Sequence, residues 1–388
     1  MIGETSPANV WHLLGCVPNI VLQAPQPVRI ALCLATAVRV FIQNTPTAMS
    51  TPAPIEHAAR DHQQFPGAQY VLPADDPERL RLNKQHGMIK HSFGGQILFA
   101  PVKLTKDDKV LESGTGSGAW LLDLASSSDP AVEMTGVDIE SRIFPNEPPS
   151  NLTFQVGSVL ELPADWSNKF TLVHQRLLMA ALQVPQWPQA LGEIHRVLKS
   201  GGYVQIAEAT QWAYPPWPKM EKLLSMTRIL MKHRNIYLNV ANDMPDLLKN
   251  AGFVDIQRET RITKIGKGVE GEHTKLLKGN ILGVYRGLKT PILKAGGFGV
   301  VSSEEEYDTL LSDIEAEWDD MPVSEQAFNI FWARKERRRF GLTTGYLAGT
   351  INTCKEREDW DGEKLQDMRC RYSGCVRCVL GWSLSCWP

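Results

Sequence analysis

Four residues within the run 112–118 could act on one ligand. Glu112 follows the apolar Lys109-Val110-Leu111, and Gly114, Gly116 and Gly118 come at every second position before Ala119-Trp120-Leu121-Leu122. Glycine tolerates positive φ and carries no side chain, so the backbone of such a loop can pass close to a ligand. A helix starting there aims unpaired N–H groups at whatever sits above the strand end. Glycine-rich strand-to-helix turns bind nucleotides in open α/β sheets, and a tight turn with no ligand would use the same residues. Asp138 ends a second strand pattern, 132–138, about 20 residues beyond the loop. A carboxylate there can accept from both hydroxyls of a ribose; a helix N-cap or a turn would also use it. Candidate general bases are His86, His91, His174, His233 and His273. Each competes with a plain structural role, and His174 is the best placed, at the carboxyl end of a fourth strand.

The elements that must hold these residues follow in βα order. A third strand spans 151–156 and leads into Gly157-Ser158-Val159. A fourth spans 170–176. Trp187, Ala190, Leu191, Ile194, Val197 and Leu198 recur at helical spacing and stop at Lys199-Ser200-Gly201-Gly202, where glycines end the helix. Residues 203–208 read as a fifth strand. With Glu112 two residues ahead of Gly-x-Gly-x-Gly and the Lys-x-Gly-Gly helix end, this order resembles the class I S-adenosylmethionine (SAM) methyltransferases. Tyr70-Val71-Leu72-Pro73, Asp76, Glu78, Arg79-Leu80, Gln85-His86 and His174-Gln175-Arg176-Leu177-Leu178 are similar to the fungal secondary-metabolite members. The resemblance covers about residues 65–335.

The resemblance implies an α/β fold: a seven-strand Rossmann-like sheet with helices on both faces and a helical substrate cap. It implies SAM as cofactor, with Tyr70, Glu112, Gly114, Thr115, Gly116, Gly118, Asp138, Ser158, Val159 and His174 around it. The family often holds an acid against the adenine amine; Ser158 stands there, and the backbone N–H of Val159 is the substitute. His174 is the candidate catalytic base. The expected activity is O- or N-methylation of a small organic acceptor in secondary metabolism. A SAM-binding regulator of the same fold, acting through protein partners, is an alternative. An NAD(P)-dependent oxidoreductase is another, disfavoured by loop spacing, since dehydrogenases use Gly-x-Gly-x-x-Gly.

Beyond the fifth strand, Gln211-Trp212-Ala213-Tyr214-Pro215-Pro216-Trp217-Pro218 is an aromatic elbow. Met220, Leu223, Leu224, Met226, Leu230 and Met231 predict an apolar helix. Gly252 separates a helix from a sixth strand at 253–256, residues 273–290 look helical, and 328–334 is the final strand. Ser302 or Ser303, with Glu305 or Glu306, can cap a helix whose Tyr307, Leu310, Leu311, Ile314 and Trp318 share one face. The segments inserted around the sixth strand should cover the reacting centre and choose the acceptor, with Trp212, Tyr214 and His233 as candidate acceptor contacts.

The 388 residues are 43% hydrophobic with a net charge of −2. That balance favours a small-molecule partner and gives no case for nucleic acid or an acidic membrane. The expected organisation is a poorly patterned leader at 1–48, a helical lead-in and lid at 49–105, a SAM-binding core at 106–210, cap helices and last strands at 211–335, and a tail at 336–388. All seven cysteines fall in the leader or the tail. Cys370, Cys375, Cys378 and Cys386 could be zinc thiolates, but their spacing lacks paired Cys-x-x-Cys modules and no histidine accompanies them; no metal is expected. The tail reads as a disordered or spurious extension. Met49 would be an ordinary start for a cytoplasmic protein, monomer or homodimer. The apolar 30–38 is too short to span a bilayer.

Overall fold

The computed structural model describes residues 53–212 and 217–337. The expected leader at 1–48, Tyr214 and the cysteine-bearing tail from 338 lie outside the described residues.

Seven strands form one sheet: β1 Lys109–Ser113, β2 Glu133–Asp138, β3 Leu152–Val156, β4 Phe170–Arg176, β5 Leu198–Ala209, β6 Phe253–Ile265 and β7 Ser324–Lys335. Their order is β3-β2-β1-β4-β5-β7-β6. Neighbours among β1–β5 are parallel, and β7 runs antiparallel to both β5 and β6. Strands of a parallel sheet are covered on both faces and so read as continuous apolar runs; Val110, Leu111, Leu172 and Val173 are all at 0% exposure. β1 has β2 on one side and β4 on the other. At this switch point the connections diverge and leave a crevice outside the carboxyl ends.

Seven α-helices accompany the sheet among the described residues: α1 Asp76–Ser92, α2 Ala119–Ser126, α3 Gln186–Val197, α4 Pro218–His233, α5 Val240–Asn250, α6 Glu272–Lys294 and α7 Glu304–Asp320. α3 buries Trp187, Ala190, Leu191, Ile194 and Val197, the stripe its periodicity predicts. α7 buries Tyr307, Leu310, Leu311, Ile314 and Trp318. Ser303 accepts from the N–H of Glu306 at its start, while Glu306 accepts from the N–H of Ser302, a variant of the capping box. Residues of α1, α4, α6 and α7 share one apolar cluster.

Three boundaries depart from the sequence reading. Leu198 already pairs with Phe170, so Gly201 and Gly202 sit inside an irregular start of β5 rather than ending the helix. β6 extends to Ile265 through Arg258-Glu259-Thr260-Arg261, which carry no apolar signal because this edge strand is largely solvated. The lead-in expected to be helical is extended up to Asp75, the N-cap of α1. It runs as a strap. Ile55 N donates to Leu293 O (2.9 Å), Ala58 N to the Glu304 carboxylate (3.0 Å) and Arg60 N to Thr290 Oγ1 (3.1 Å). Arg142 donates to His62 O at 2.8 Å. No helix among the described residues is long and apolar enough to cross a membrane.

Candidate functional site

A cavity of ≈ 510 Å³ opens at the carboxyl ends of β1, β2, β4 and β5, and α1, α4, α6 and the strap also line it. Its floor is the glycine loop. Gly114 N and Thr115 N both donate to Val137 O (2.8 and 2.9 Å), tying the loop to β2. Gly116 lies at φ +55°, and a Cβ there would meet Leu82 of α1 at 3.2 Å. Gly118 differs from the expectation. A Cβ there would meet Phe154 at 2.7 Å, and the residue is absent from the cavity lining. It is glycine for helix–sheet packing, at φ +71°.

Asp138 lines the cavity at the end of β2. Its Oδ2 accepts from Gly116 N (2.8 Å) and its Oδ1 from Glu140 N (3.2 Å). Burial pushes its carboxyl up to about 6, against backbone hydrogen bonds from Gly116, Glu140 and Ile139; the charge of Glu112 adds to the rise. Tyr70, Thr115, Ser158 and Val159 line the same cavity. Burial, and then the charge of Glu78, raise the Tyr70 phenol above its ordinary range. Ser158 Oγ accepts from Leu160 N (3.1 Å), which fixes the turn after β3.

Glu112 and His174 are brought together, but beneath the cavity and not on its wall. Glu112 is fully buried and accepts from Thr115 Oγ1 at 2.6 Å. His174, 1% exposed, stacks on Trp120 with ring centroids 3.7 Å apart and 9° between planes. Its Nδ1 lies 3.3 Å from Glu112 Oε1, and a carboxylate only accepts, so that nitrogen carries the proton. Burial holds the imidazole down to about 4. The expected base is therefore a buried ring off the cavity lining, joined through Glu112 to Thr115 of the loop. It sits two residues, about 6.6 Å, short of the strand end that reaches the cavity.

The other four histidines are also off the lining. His91 and His273 face each other at 4.8 Å. His233 opens instead on a second cavity of ≈ 390 Å³, against Phe298. α4 turns Leu224, Thr227, Arg228 and Met231 to the main cavity, so His233, two residues on, points elsewhere. His86 is held between Arg176 and Asp123. Trp212 does line the cavity, among apolar residues that include Leu224, Met231, Val284 and Phe328.

Sequence reasoning missed several polar groups on the wall. Arg81 is clamped by Glu78 through two hydrogen bonds (2.9 and 2.6 Å) and donates to Asn280 Oδ1 (2.9 Å). Arg176, the last residue of β4, faces the cavity, and its polarity at a strand's carboxyl end was the available signal. Ser117 lines it too; its hydroxyl is 5% exposed as a residue and has no partner among the described residues. Among the described residues no cluster of three or more His, Cys, Asp or Glu could hold a metal.

An adenosine joined to an amino acid fits these groups. Asp138 offers a carboxylate, the loop and the first turn of α2 offer N–H groups, and Ser117 Oγ at the wall has no partner among the described residues. Residues 110–202 match the methyltransferase domain family. N-methyltransferase sirN of Leptosphaeria maculans is 39% identical over 148 residues, 38% of this chain and 51% of that protein, so that match spans about half the relative's length. N-methyltransferase gliN of Aspergillus fumigatus is 28% identical over 276 residues, 69% of this chain and 96% of that protein. N-methyltransferase tcpN of Claviceps purpurea is 31% identical over 248 residues, 60% of this chain and 85% of that protein. With the β1–loop–α2 unit and the carboxylate at the end of β2 folded as that chemistry requires, the chain belongs to the S-adenosylmethionine-dependent methyltransferases.

Proposed function

We propose that this methyltransferase modifies a nitrogen of a small, flat, largely apolar acceptor of secondary metabolism, and that it does so without a protein base. In this reading the loop 114–118 lies under the methionine part of the cofactor, Asp138 accepts from the ribose hydroxyls, and Ser158 with the N–H of Val159 faces the adenine. The acceptor lies against Trp212, Leu224, Met231 and Val284, between α4 and α6. The names of the relatives support nitrogen as the nucleophile.

One observation carries the reading. Among the described residues no histidine, lysine or cysteine lines the cavity, and the only carboxylates there, Asp138 and Glu140, sit at the end of β2. A hydroxyl would need a base to become a nucleophile. An un-ionised nitrogen brings its own lone pair. Bound SAM supplies a methyl group on a sulfonium, a leaving group that needs no acid. What remains for the protein is to hold nitrogen, carbon and sulfur in line, a positioning effect worth up to ~7–11 kcal/mol. Leu72, Phe65 and the apolar faces of α4 and α6 exclude water around the reacting atoms. A mostly apolar cavity of ≈ 510 Å³ suits a small acceptor.

The test is a matched pair of aromatic acceptors, one with an amine and one with a hydroxyl, assayed for methylated product by mass spectrometry from pH 6 to 9. We expect methyl transfer to the amine only, with a rate that rises to a plateau set by the acceptor's own ionisation. Comparable transfer to the hydroxyl, with a pH profile set by a group on the enzyme, would sink the reading.

A further inference from the structure

We infer that Gln326 and Asn280 read the polarity of the acceptor. Gln326 Oε1 accepts an N–H kept by the reacting nitrogen, and Asn280 Nδ2 donates to an oxygen elsewhere on the same molecule. The acceptor class this selects is an amine that also carries a hydrogen-bond-accepting oxygen. The inference rests on the amine acceptor and the cofactor placement proposed above. The two amides are held so that opposite ends are left open. Gln326 meets Thr210 O at 2.7 Å. A carbonyl only accepts, so the atom at that contact is the amide nitrogen, and Oε1 is turned the other way. Asn280 meets an Arg81 guanidinium nitrogen at 2.9 Å. A guanidinium only donates, so the contact atom is Oδ1, and Nδ2 is the open end. An amide turned over would set oxygen against oxygen at Thr210, or N–H against N–H at Arg81. Neither open end has a hydrogen-bond partner among the described residues, and both residues line the main cavity.

Both mounts are fixed from behind. Gln326 O accepts from Thr263 Oγ1 at 3.2 Å. Thr210 is tied to the next residue of β7: its N–H donates to Ala327 O (2.8 Å), and Ala327 N donates to its hydroxyl oxygen (3.1 Å). Arg81 is clamped to Glu78 by two hydrogen bonds. Position places both amides beside the acceptor. Asn280 stands one turn before Val284 on α6, and Gln326 two residues before Phe328 on β7, so each shares a face with an apolar residue of the cavity. The sheet order then assigns the roles. The glycine loop follows β1, and β7 lies three strands away, roughly 14 Å. A nitrogen between them attacks through its lone pair, which must point toward the methyl group over β1. An N–H that it keeps points away, toward β7 and Gln326. Asn280, on α6, meets another edge of the same molecule, and a donor there selects an oxygen.

Calorimetry on the protein saturated with S-adenosylhomocysteine, the demethylated cofactor, tests this with three flat probes. Meta-aminoacetophenone carries both groups, meta-ethylaniline lacks the oxygen, and acetophenone lacks the amine. One neutral hydrogen bond changes affinity by roughly 3–10-fold. The parent should bind meta-aminoacetophenone more tightly than either partial probe by that factor. Gln326→Leu should weaken both amines by the same factor and leave acetophenone unchanged. Asn280→Leu should weaken both ketones and leave meta-ethylaniline unchanged. Affinity for S-adenosylhomocysteine itself should hold in both variants. Equal weakening of all three probes by either variant would show a merely structural role and overturn the proposal. Loss of S-adenosylhomocysteine affinity in Asn280→Leu would assign that amide to the cofactor and overturn it as well. Methyl transfer from SAM to the two amines by the parent separates this inference from the reading beneath it. If transfer occurs but the variants do not discriminate among the probes, only the inference fails. If the parent binds the probes and methylates neither amine, the amine acceptor fails, and the inference with it.

Discussion

At the scale of single residues, Asp138 and Glu208 make opposite uses of a displaced carboxyl. For Asp138, a hydrogen bond to a charged group contributes roughly 1.5–3 kcal/mol. Asp138→Ala should therefore weaken S-adenosylhomocysteine by at least about tenfold in calorimetry. The carboxyl is raised to about 6, so a proton should compete with the ribose as pH falls below that value. Affinity should decline from pH 7 to pH 5 in the parent and stay flat in the variant. Glu208 lies at 0% exposure, accepts from Leu178 N through Oε1 (2.8 Å), and leaves Oε2 without a partner among the described residues. Burial pushes its carboxyl up to about 8. A group whose folded pKa is raised adds stability below its unfolded pKa and loses that contribution as pH climbs through the folded value. The parent should thus lose melting temperature between pH 6 and pH 9, and Glu208→Gln should lose less; parallel curves would contradict this. The loop and Asp138 were legible because their signals are local in the chain. That His174 lies off the cavity lining was not legible, because nothing local tells how far below the rim a strand residue lies, and Trp120, which stacks on it, is far away in sequence. Arg176 gave only its polarity; its place on the cavity wall is visible only once α1 and β4 meet.

At the scale of elements, periodicity carried well where a face is dry. α3 and α7 bury the predicted stripes, and Ile194, at 0% exposure, should cost about 2–5 kcal/mol when cut to alanine. Urea unfolding would show this as a lower midpoint with an unchanged slope. The hidden parts are the solvated ones: β6 is an edge strand whose Arg258-Glu259-Thr260-Arg261 stretch pairs with β7 through backbone, which composition does not reveal. The glycine loop contains two kinds of constraint that look alike in sequence. Gly118→Ala should lower stability by about 1–3 kcal/mol, because the new methyl meets Phe154 at a left-handed φ. Gly116→Val, which faces Leu82 and the cavity, should chiefly abolish S-adenosylhomocysteine binding. If the two variants gave the same balance of melting and binding losses, the division of labour within the loop would be wrong.

At the scale of the whole molecule, every described residue that lines the main cavity lies between Gln63 and Phe328. A chain of residues 49–338 should therefore bind S-adenosylhomocysteine as tightly as the full chain; loss of binding on trimming would show that an end contributes to the site. Topology was legible because the βα order and the glycine placement carry a resemblance that implies the seven-strand sheet. The strap was not, since extended chain held by backbone contacts leaves no pattern. Its anchors join residues 246 and 230 positions apart, Ala58 to Glu304 and Arg60 to Thr290. Such contacts close very long loops and are rewarded only after the intervening elements have formed. The strap, made early in synthesis, therefore has nothing to dock on until α6 and α7 exist. The first described part of the chain completes the chamber last, so ligand binding should be acquired during refolding later than the bulk of the helix signal.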